Sequence, residues 1–152
     1  MLSKNVEYID ATDVAKLVRK RLKAHFPNQK FSVRTSKYSG GSSIRVRWVN
    51  GVAETKVQKV VGNFHGATVD GMRDLKEYHD DFLIDEQGNI KRVHFGNDFI
   101  FLEREYTEDI LEKHGKEICE RLGIEYKGLY ETRINNEWLN WIVLKDLKSA
   151  DL

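Results

Sequence analysis

The chain has 152 residues and a formal net charge of +1, and 40% of its residues are hydrophobic and 32% charged. This balance is typical of an ordinary globular protein and excludes a disordered chain, and no apolar run approaches the roughly 20 residues of a membrane-spanning helix. The single cysteine, Cys119, excludes an internal disulfide.

Residues 10–26 predict the first helix. Apolar side chains and one histidine recur there at three- and four-residue spacing, at Val14, Leu17, Val18, Leu22, His25 and Phe26. Basic side chains occupy the opposite face, at Lys16, Arg19, Lys20 and Lys23. Asp10, Thr12 and Asp13 supply a cap and a negatively charged first turn, and Pro27 predicts the end of the helix.

The stretch from Phe31 to Gly51 predicts a β-hairpin. Two runs of period-two alternation flank the segment SGGSS, which we expect to be a long, mobile loop. The first run places Phe31, Val33 and Thr35 on one face, and the second places Ile44, Val46 and Trp48 there. If these apolar faces share one core, the opposite face carries three arginines, Arg34, Arg45 and Arg47.

The middle of the chain predicts short elements. Residues 54–64 favour a second helix, and residues 65–78 favour a loop or extended piece followed by a turn of helix at 74–78. Residues 82–84 and 90–95 flank the turn sequence DEQGN and predict another hairpin. A turn at 95–98 then leads into a strand at 99–104.

A third helix is predicted at residues 108–122, with Thr107 as its cap and Gly123 in the left-handed C-terminal position. Its inner stripe consists of Ile110, Leu111, His114, Ile118, Cys119 and Leu122. Residues 136–148 suit a buried helix capped by Asn135 or Asn136, and also a strand that closes a hairpin at the two asparagines. Helix is slightly favoured, and both structures stay open.

These elements predict one α+β domain over residues 1–152, with a small, mostly antiparallel sheet packed against three to four helices. The charge is unevenly distributed along this domain. Residues 1–65 hold 13 Lys/Arg and 4 Asp/Glu, whereas residues 66–152 hold 12 and 20. This asymmetry indicates binding to nucleic acid or an acidic partner, unless the two halves neutralise each other in the fold.

Three segments in order resemble a known family: ATDVAKLVRKRLKAHFPNQKFSVRTSKYSGGSSIRVRW, GATVDGMRDLKEY and HFGNDFIFLEREYT. Together they span residues 11–107 and are similar to the twenty-ninth of the large polyvalent-protein-associated domains. The resemblance implies an origin in phages or conjugative elements and a part in establishment or counter-defence inside a bacterial host. It transfers no catalytic residues, and residues 108–152 form a C-terminal extension outside it, expected to be helical.

The best candidate site is a basic surface on the hairpin. Lys and Arg neutralise phosphates, and an aromatic at the loop tip can stack on an unpaired base. The residues are Arg34, Lys37, Tyr38, Arg45 and Arg47, extended by Lys16, Arg19, Lys20 and Lys23 on the first helix. The alternative is that the arginines form ion pairs with carboxylates of the acidic half.

A second candidate surface suits a basic protein partner, including a host defence enzyme, as in a counter-defence inhibitor of anti-CRISPR type. Aromatic side chains are enriched at binding hot spots, and here they accompany an acidic helix. The residues are Glu108, Asp109, Glu112, Glu117, Trp138 and Trp141. Glu103, Glu105 and Glu120 belong to the same acidic stretch. A solvated helix face and core tryptophans are the simpler interpretation.

We expect no enzyme, metal or cofactor. Histidines and aspartates occur in the polar stretch between elements, but their spacing matches no metal-ligand pattern: His65, His79, Asp80, Asp81, His94 and Asp98. His114 is expected in the core with a hydrogen-bond partner, and Cys119 is expected to be buried and inert. With no secretory signal at the N-terminus, we expect a cytoplasmic location. The sequence does not indicate an oligomeric state.

Overall fold

The computed structural model describes residues 5–70, 75–85 and 87–152. Within these ranges the chain forms helices and short strands, which confirms the α+β class. The helices are α1 (Ala11–His25), α2 (Glu54–Val61), α3 (Glu108–Leu122) and α4 (Leu139–Leu147). The strands are β1 (Glu7–Ile9), β2 (Ser32–Tyr38), β3 (Gly41–Val49), β4 (Ala67–Asp70), β5 (Leu75–Tyr78), β6 (Asp81–Ile84), β7 (Ile90–Phe95), β8 (Phe99–Glu105), β9 (Arg133–Ile134) and β10 (Glu137–Trp138).

The described strands form several small sheets where the alternation predicts one. Two sheets have three strands, in the orders β2-β3-β8 and β1-β7-β6, and the pairs β4-β5 and β9-β10 are separate. β1 runs parallel to β7, while the pairs β2-β3, β4-β5, β6-β7 and β9-β10 are antiparallel. The expectation of mostly antiparallel pairing is therefore confirmed.

The described residues fall into two compact units. The first unit comprises Met1–Arg47 and Val60–Glu103, and the second comprises Trp48–Lys59 and Arg104–Leu152. Buried side chains of the first unit include Val14, Val18, Leu22, Val33, Ile44, Val46, Val93 and Phe95. The core of the second unit is formed by Ile118, Cys119, Leu129, Leu139, Val143 and Leu147. The expectation of a single domain over residues 1–152 stays a prediction.

The first helix follows its sequence pattern closely. α1 begins after Asp10, whose carboxylate accepts a hydrogen bond from the Thr12 N–H at 3.1 Å. This bond lowers the pKa of Asp10. α1 ends at His25, two residues before Pro27, as expected. His25 itself is exposed and leaves the predicted apolar stripe, whereas Phe26 is half-buried with its ring 6.1 Å from that of Phe31.

The SGGSS segment is not a long loop. Ser39 and Gly40 alone connect β2 to β3, because Tyr38 pairs with Gly41 across the hairpin. Gly40 has φ +90°, which favours glycine. A Cβ on Gly41 would lie 1.8 Å from Asp98 Oδ2, so this position also requires glycine. Ser42 and Ser43 belong to β3 and are buried. Ser42 Oγ donates to Gly96 O at 3.1 Å.

The turn of helix predicted at 74–78 is wrong for residues 75–78, and Asp74 lies outside the described residues. Leu75–Tyr78 form β5, which pairs with β4. The cross-strand hydrogen bonds to β4 override the weak local preference of this segment. The predicted β6-β7 hairpin and the β8 strand are confirmed, while β1 was not predicted.

The C-terminal region combines the two structures that its sequence leaves open. Asn135 and Asn136 have positive φ values of +50° and +67° and connect β9 to β10, as Asn does in tight hairpin turns. α4 then begins at Leu139 with Trp138 in the N-cap position. The expectation that an asparagine caps this helix is therefore wrong, because both asparagines are used by the turn.

α3 has the predicted bounds, and Gly123 adopts the left-handed conformation with φ +68°. Thr107 is the N-cap residue, but its side chain makes no capping hydrogen bond. Instead, Asn50 Nδ2 donates to Thr107 Oγ1 at 3.0 Å. Leu122 is 55% exposed, so the inner stripe ends at Cys119.

Asp151 stabilises the start of α2 inside the second unit. One carboxylate oxygen accepts from the Ala53 N–H at 2.8 Å, and the other pairs with Lys56. The hydrogen bond from Lys56, together with that from Ala53, lowers the pKa of Asp151. A carboxyl whose pKa is lower in the folded state contributes stability above its unfolded pKa of about 3.9, and loses it as pH falls through the folded value.

We therefore expect Asp151→Asn to lower the melting temperature at pH 7, and we expect this loss to become smaller as pH falls below about 3.9 and the wild-type carboxyl takes up its proton. Thermal unfolding followed by circular dichroism between pH 2 and 7 measures the difference. Asp146→Asn, at an exposed aspartate of α4, is the matched control. A pH-independent loss in Asp151→Asn would contradict the assigned ion pair.

Candidate nucleic-acid interface

The hairpin presents its arginines on one side of the sheet. Val33, Ile44 and Val46 are buried, while Arg34, Arg45 and Arg47 are exposed, as the alternation predicts. Arg34 lies directly opposite Arg45 across the hairpin, and Arg47 lies opposite Ser32. Two like charges that face each other across strands are destabilising, so this face requires a negative partner.

Glu103 of β8 supplies that partner. Arg45 Nη1 donates to Glu103 Oε1 at 3.0 Å, and Arg47 Nε donates to Glu103 Oε2. The three side chains are one third to one half exposed, and ion pairs at such positions contribute only about 0–1 kcal/mol. The carboxylate thus holds two arginines in a fixed arrangement without a large gain in stability.

Arg34 differs from the other two arginines. It is exposed, and within the described residues its side chain makes no ion pair or hydrogen bond. We define the arginine face as Arg34, Arg45, Arg47 and Glu103. Since three positive groups share one carboxylate, this surface has a net charge of +2 and can accept an anion.

The structure places the other predicted hairpin residues differently. Tyr38 ends β2 on the side of Arg34, is 45% exposed, and its hydroxyl donates to Ser42 O at 3.3 Å. Lys37 points to the opposite side of the sheet, since it alternates with Tyr38. After the Thr12 hydrogen bonds, Lys37 also lowers the pKa of Asp10, which places this lysine near the start of α1.

The basic residues of α1 do not join the arginine face. α1 packs on the side of β2 that carries Val33, and Arg19 Nη2 donates to the Val33 carbonyl at 2.7 Å. Because β2 is an edge strand, this hydrogen bond also covers part of an exposed sheet edge. Lys16 lies 3.5 Å from Asp13, and Lys20 and Lys23 are exposed. These four residues form a separate basic surface.

Sequence reasoning missed the aromatic side chains beside the arginine face. Phe99, Phe101 and Glu103 are every second residue of β8 and therefore lie on the same side of it. Phe101 is 44% exposed. The two phenylalanine rings are 6.0 Å apart. The alternation within FIFLER carries this signal, because the residues at odd positions include both phenylalanines and the carboxylate.

The division into units changes the meaning of the charge asymmetry. The first unit contains 15 Lys/Arg and 12 Asp/Glu, and the second contains 10 and 12. The net charges are therefore +3 and −2, far smaller than those of the two sequence halves. Residues 60–103 carry nine carboxylates into the unit of the basic hairpin, and Glu103 is one of them.

The histidines and aspartates of the polar stretch make contacts with one another and with neighbouring groups. His65 and His79 meet edge to face with ring centroids 5.2 Å apart, and His94 Nδ1 lies 3.2 Å from Asp80. Asp98 accepts from Lys76 Nζ at 2.7 Å, which raises the pKa of the lysine. Asp81 Oδ1 accepts a hydrogen bond from the backbone N–H of Phe82 at 2.8 Å. Among the described residues no group of three His, Cys, Asp or Glu could hold a metal ion.

The second candidate surface lies in the second unit. The acidic residues of α3 are exposed: Glu108, Asp109, Glu112 and Glu117. Lys113 and Lys116 alternate with them, so the helix face has mixed charge. Trp138 and Trp141 are 41% and 58% exposed, which differs from the core position that is usual for tryptophan. Arg133 lies 4.8 Å from the Trp138 ring.

Sequence reasoning places two groups in the core of the second unit, and of these Cys119 is buried there. Cys119 is buried, and its burial raises the pKa of the thiol, as expected for an inert residue. His114 is half-buried, and its Nδ1 has no hydrogen-bond partner within the described part of the chain. The expected partner of this histidine is therefore not found at that nitrogen.

Comparison with known proteins gives one match. A family model described as large polyvalent protein associated domain 29 matches residues 9–107, which is 99 of the 152 residues. No curated protein and no solved structure matches the chain at a significant level. Across residues 5–70, 75–85 and 87–152, no helix combines the length and apolarity needed to cross a membrane.

Proposed function

The chain belongs to the large polyvalent protein associated domain 29 family, and from this premise we propose that it is a non-enzymatic protein of phages or mobile elements that binds nucleic acid. Family membership supports the association with phages and mobile elements. The arginine face supports the binding activity. The observation that carries the proposal is the exposed Arg34 next to two arginines that share a single carboxylate.

A phosphate can engage this face in two ways. Arg34 offers a guanidinium fork that matches a phosphate geometrically. Arg45 and Arg47 are held by Glu103, so a phosphate that approaches them competes with the carboxylate. Removing the charge of Glu103 should therefore strengthen binding, whereas a purely structural role of this residue predicts no gain.

We expect Arg34→Gln combined with Arg45→Gln to weaken binding of a labelled 20-nucleotide DNA at 50 mM salt by about tenfold or more. The plot of log affinity against log salt should become shallower by about 0.7–0.9 for each phosphate that the variant no longer neutralises. Glu103→Gln should strengthen binding by about three- to tenfold, which is the effect of one removed charge at short range. Fluorescence anisotropy measures both changes.

Arg121→Gln, at an exposed arginine of α3, is the matched control and should bind like the wild type. The proposal fails if the wild-type protein forms no complex with single- or double-stranded DNA or RNA at low salt. It also fails if Arg121→Gln weakens binding as much as the arginine-face variant, because the attraction would then be unspecific.

A second candidate function is inhibition of a host defence protein through the acidic α3 surface. The observation that favours it is the exposure of Trp138 and Trp141, because tryptophan is enriched at binding hot spots. Both residues also lie outside the part of the chain that matches the family. This function requires a stoichiometric complex that persists after nuclease treatment. The complex should disappear in Trp138→Ala/Trp141→Ala and persist in the arginine-face variant, the reverse of the nucleic-acid result.

A further inference from the structure

The sheet β1-β7-β6 has an exposed face that the proposed function does not use. The strand register places Tyr8 beside His94, and Phe82 beside Arg92, on the same side of the sheet. Tyr8 is 64% exposed and Phe82 56%. The other side carries the buried Val93 and Phe95. Exposed apolar side chains that lie together on one face of a protein indicate a binding surface.

Three rings lie close together around His94, two from this sheet and one from β5. The Tyr8 and His94 rings are 6.0 Å apart with an interplanar angle of 26°, and the Tyr78 ring lies 6.3 Å from that of His94. Tyr78 is 60% exposed. We call Tyr8, Tyr78 and His94 the tyrosine platform. The two tyrosines are the exposed members, whereas the His94 side chain is only 23% exposed.

Two glycines, Gly96 and Gly66, leave space for the rings of Tyr8 and His94 to lie close to the backbone. A Cβ on Gly96 would lie 2.5 Å from the Tyr8 hydroxyl, and a Cβ on Gly66 would lie 2.9 Å from His94 Cε1. His94 Nδ1 is also 3.0 Å from the His79 carbonyl. These contacts restrain the rings before any ligand binds, which lowers the entropy cost of binding.

Cations accompany the rings and connect them to the hairpin. Lys76 Nζ lies 5.4 Å from the Tyr78 ring centroid and donates to Gly40 O, in the β2-β3 turn, at 3.0 Å. Arg92, two residues before His94 on β7, has a half-exposed side chain 3.5 Å from Asp80. Contacts therefore run from the hairpin turn through Lys76 to the platform, within a unit of net charge +3.

We propose that the tyrosine platform stacks the unpaired bases of a single-stranded nucleic acid. The proposal rests on the proposed function and specifies its ligand as single-stranded. Aromatic side chains stack on any base, and neighbouring cations attract the phosphates between the bases. Lys76 and Arg92 each lie within 4 Å of a carboxylate, so it is the positive net charge of the whole unit that favours a polyanion over an apolar protein partner. Duplex DNA keeps its base faces inside the helix.

The test compares Tyr8→Leu/Tyr78→Leu with the wild type in binding fluorescein-labelled dT20 and a 20-base-pair duplex. Leucine keeps the apolar surface and removes the ring. The affinity for dT20 should fall by at least about fivefold for each ring. The salt dependence should stay unchanged, because the same cations still neutralise the phosphates. Duplex binding should not change.

Two controls separate stacking from misfolding. Tyr130→Leu, at a tyrosine of the second unit that is 62% exposed, should bind dT20 like the wild type. Tyr8→Phe/Tyr78→Phe keeps the rings and should keep the affinity. Circular dichroism and thermal unfolding should match the wild type for all variants.

The proposal is overturned if Tyr8→Leu/Tyr78→Leu binds dT20 like the wild type while the arginine-face variant binds it weakly; the proposed function then stands without it. If the wild type binds no nucleic acid, both fail together. Sedimentation tests for a protein interface instead. If the wild type is a dimer, Tyr8→Leu/Tyr78→Leu is a monomer and the dT20 affinity is unchanged, the rings form a protein interface and the stacking role is overturned.

Discussion

Replacing Arg104 by methionine should lower the free energy of unfolding by about 1.5–3 kcal/mol or more, because a hydrogen bond from a charged group contributes about that much. The Arg104 guanidinium donates to four backbone carbonyls of the second unit. The distances are 2.9 Å to Asn50 O, 2.8 Å to Gly51 O, 2.7 Å to Leu147 O and 2.9 Å to Ala150 O. Methionine fills similar space but donates no hydrogen bond, so each carbonyl loses one hydrogen bond. Gly51 O and Leu147 O still accept from the backbone N–H groups of Leu152 and Ala150.

Urea denaturation followed by tryptophan fluorescence measures this destabilisation, because Trp48, Trp138 and Trp141 all belong to the second unit. Arg104→Lys should be intermediate, since an ammonium keeps the charge but cannot reproduce the planar fork. Arg121→Met, at an exposed position of α3, should change stability by less than about 0.5 kcal/mol. A destabilisation below about 1 kcal/mol in Arg104→Met would show that water satisfies the carbonyls instead.

Gly66→Ala should destabilise the protein by about 2–4 kcal/mol, at the upper end of the cost of overpacking. A Cβ on Gly66 would lie 2.1 Å from the Phe95 carbonyl oxygen, which is backbone and cannot rotate away. Gly66 is also held on both sides, since its N–H donates to Asn97 O and its carbonyl accepts from the His79 N–H, each at 2.9 Å. The backbone at Gly66 therefore cannot move away from Phe95 without breaking one of these two hydrogen bonds.

Chemical denaturation monitored by far-ultraviolet circular dichroism tests this prediction. Gly88→Ala is the informative comparison, because Gly88 has φ +81° but open space around its Cβ position. Its expected cost is about 1–2 kcal/mol, from left-handed backbone strain alone. If Gly66→Ala were as stable as the wild type, the close approach of Gly66 to Phe95 would be wrong.

The elements that sequence reasoning predicted correctly are those with local causes. α1 has its cap, apolar spacing and terminal signal within its own residues, and α3 has its apolar spacing and its C-terminal glycine there, so the bounds follow from Asp10, Pro27 and Gly123. The β2-β3 hairpin follows from alternation that is visible in one continuous stretch. Local patterns of this kind remain valid whatever the rest of the chain does.

The errors arise where pairing with a distant segment determines the secondary structure. Ser42 and Ser43 read as loop residues, yet they continue β3, and Ser42 bonds to Gly96, 54 residues away. Residues 75–78 form a strand because β4 pairs with them. Glu7–Ile9 form a strand because β7 lies beside them, and no alternation within three residues could indicate this. The tyrosine platform was missed for the same reason, since Tyr8 lies on that strand.

The sequence by itself determined that Arg34, Arg45 and Arg47 share one side of a hairpin, because alternation along a strand sets the side of every residue. Only the tertiary structure decided what they meet. Glu103 is 58 residues from Arg45 and 56 from Arg47, and it reaches them because β8 lies next to β3 in the sheet. Strand order depends on the packing of the whole chain, so the carboxylate that two of the arginines meet could not be identified from the hairpin alone.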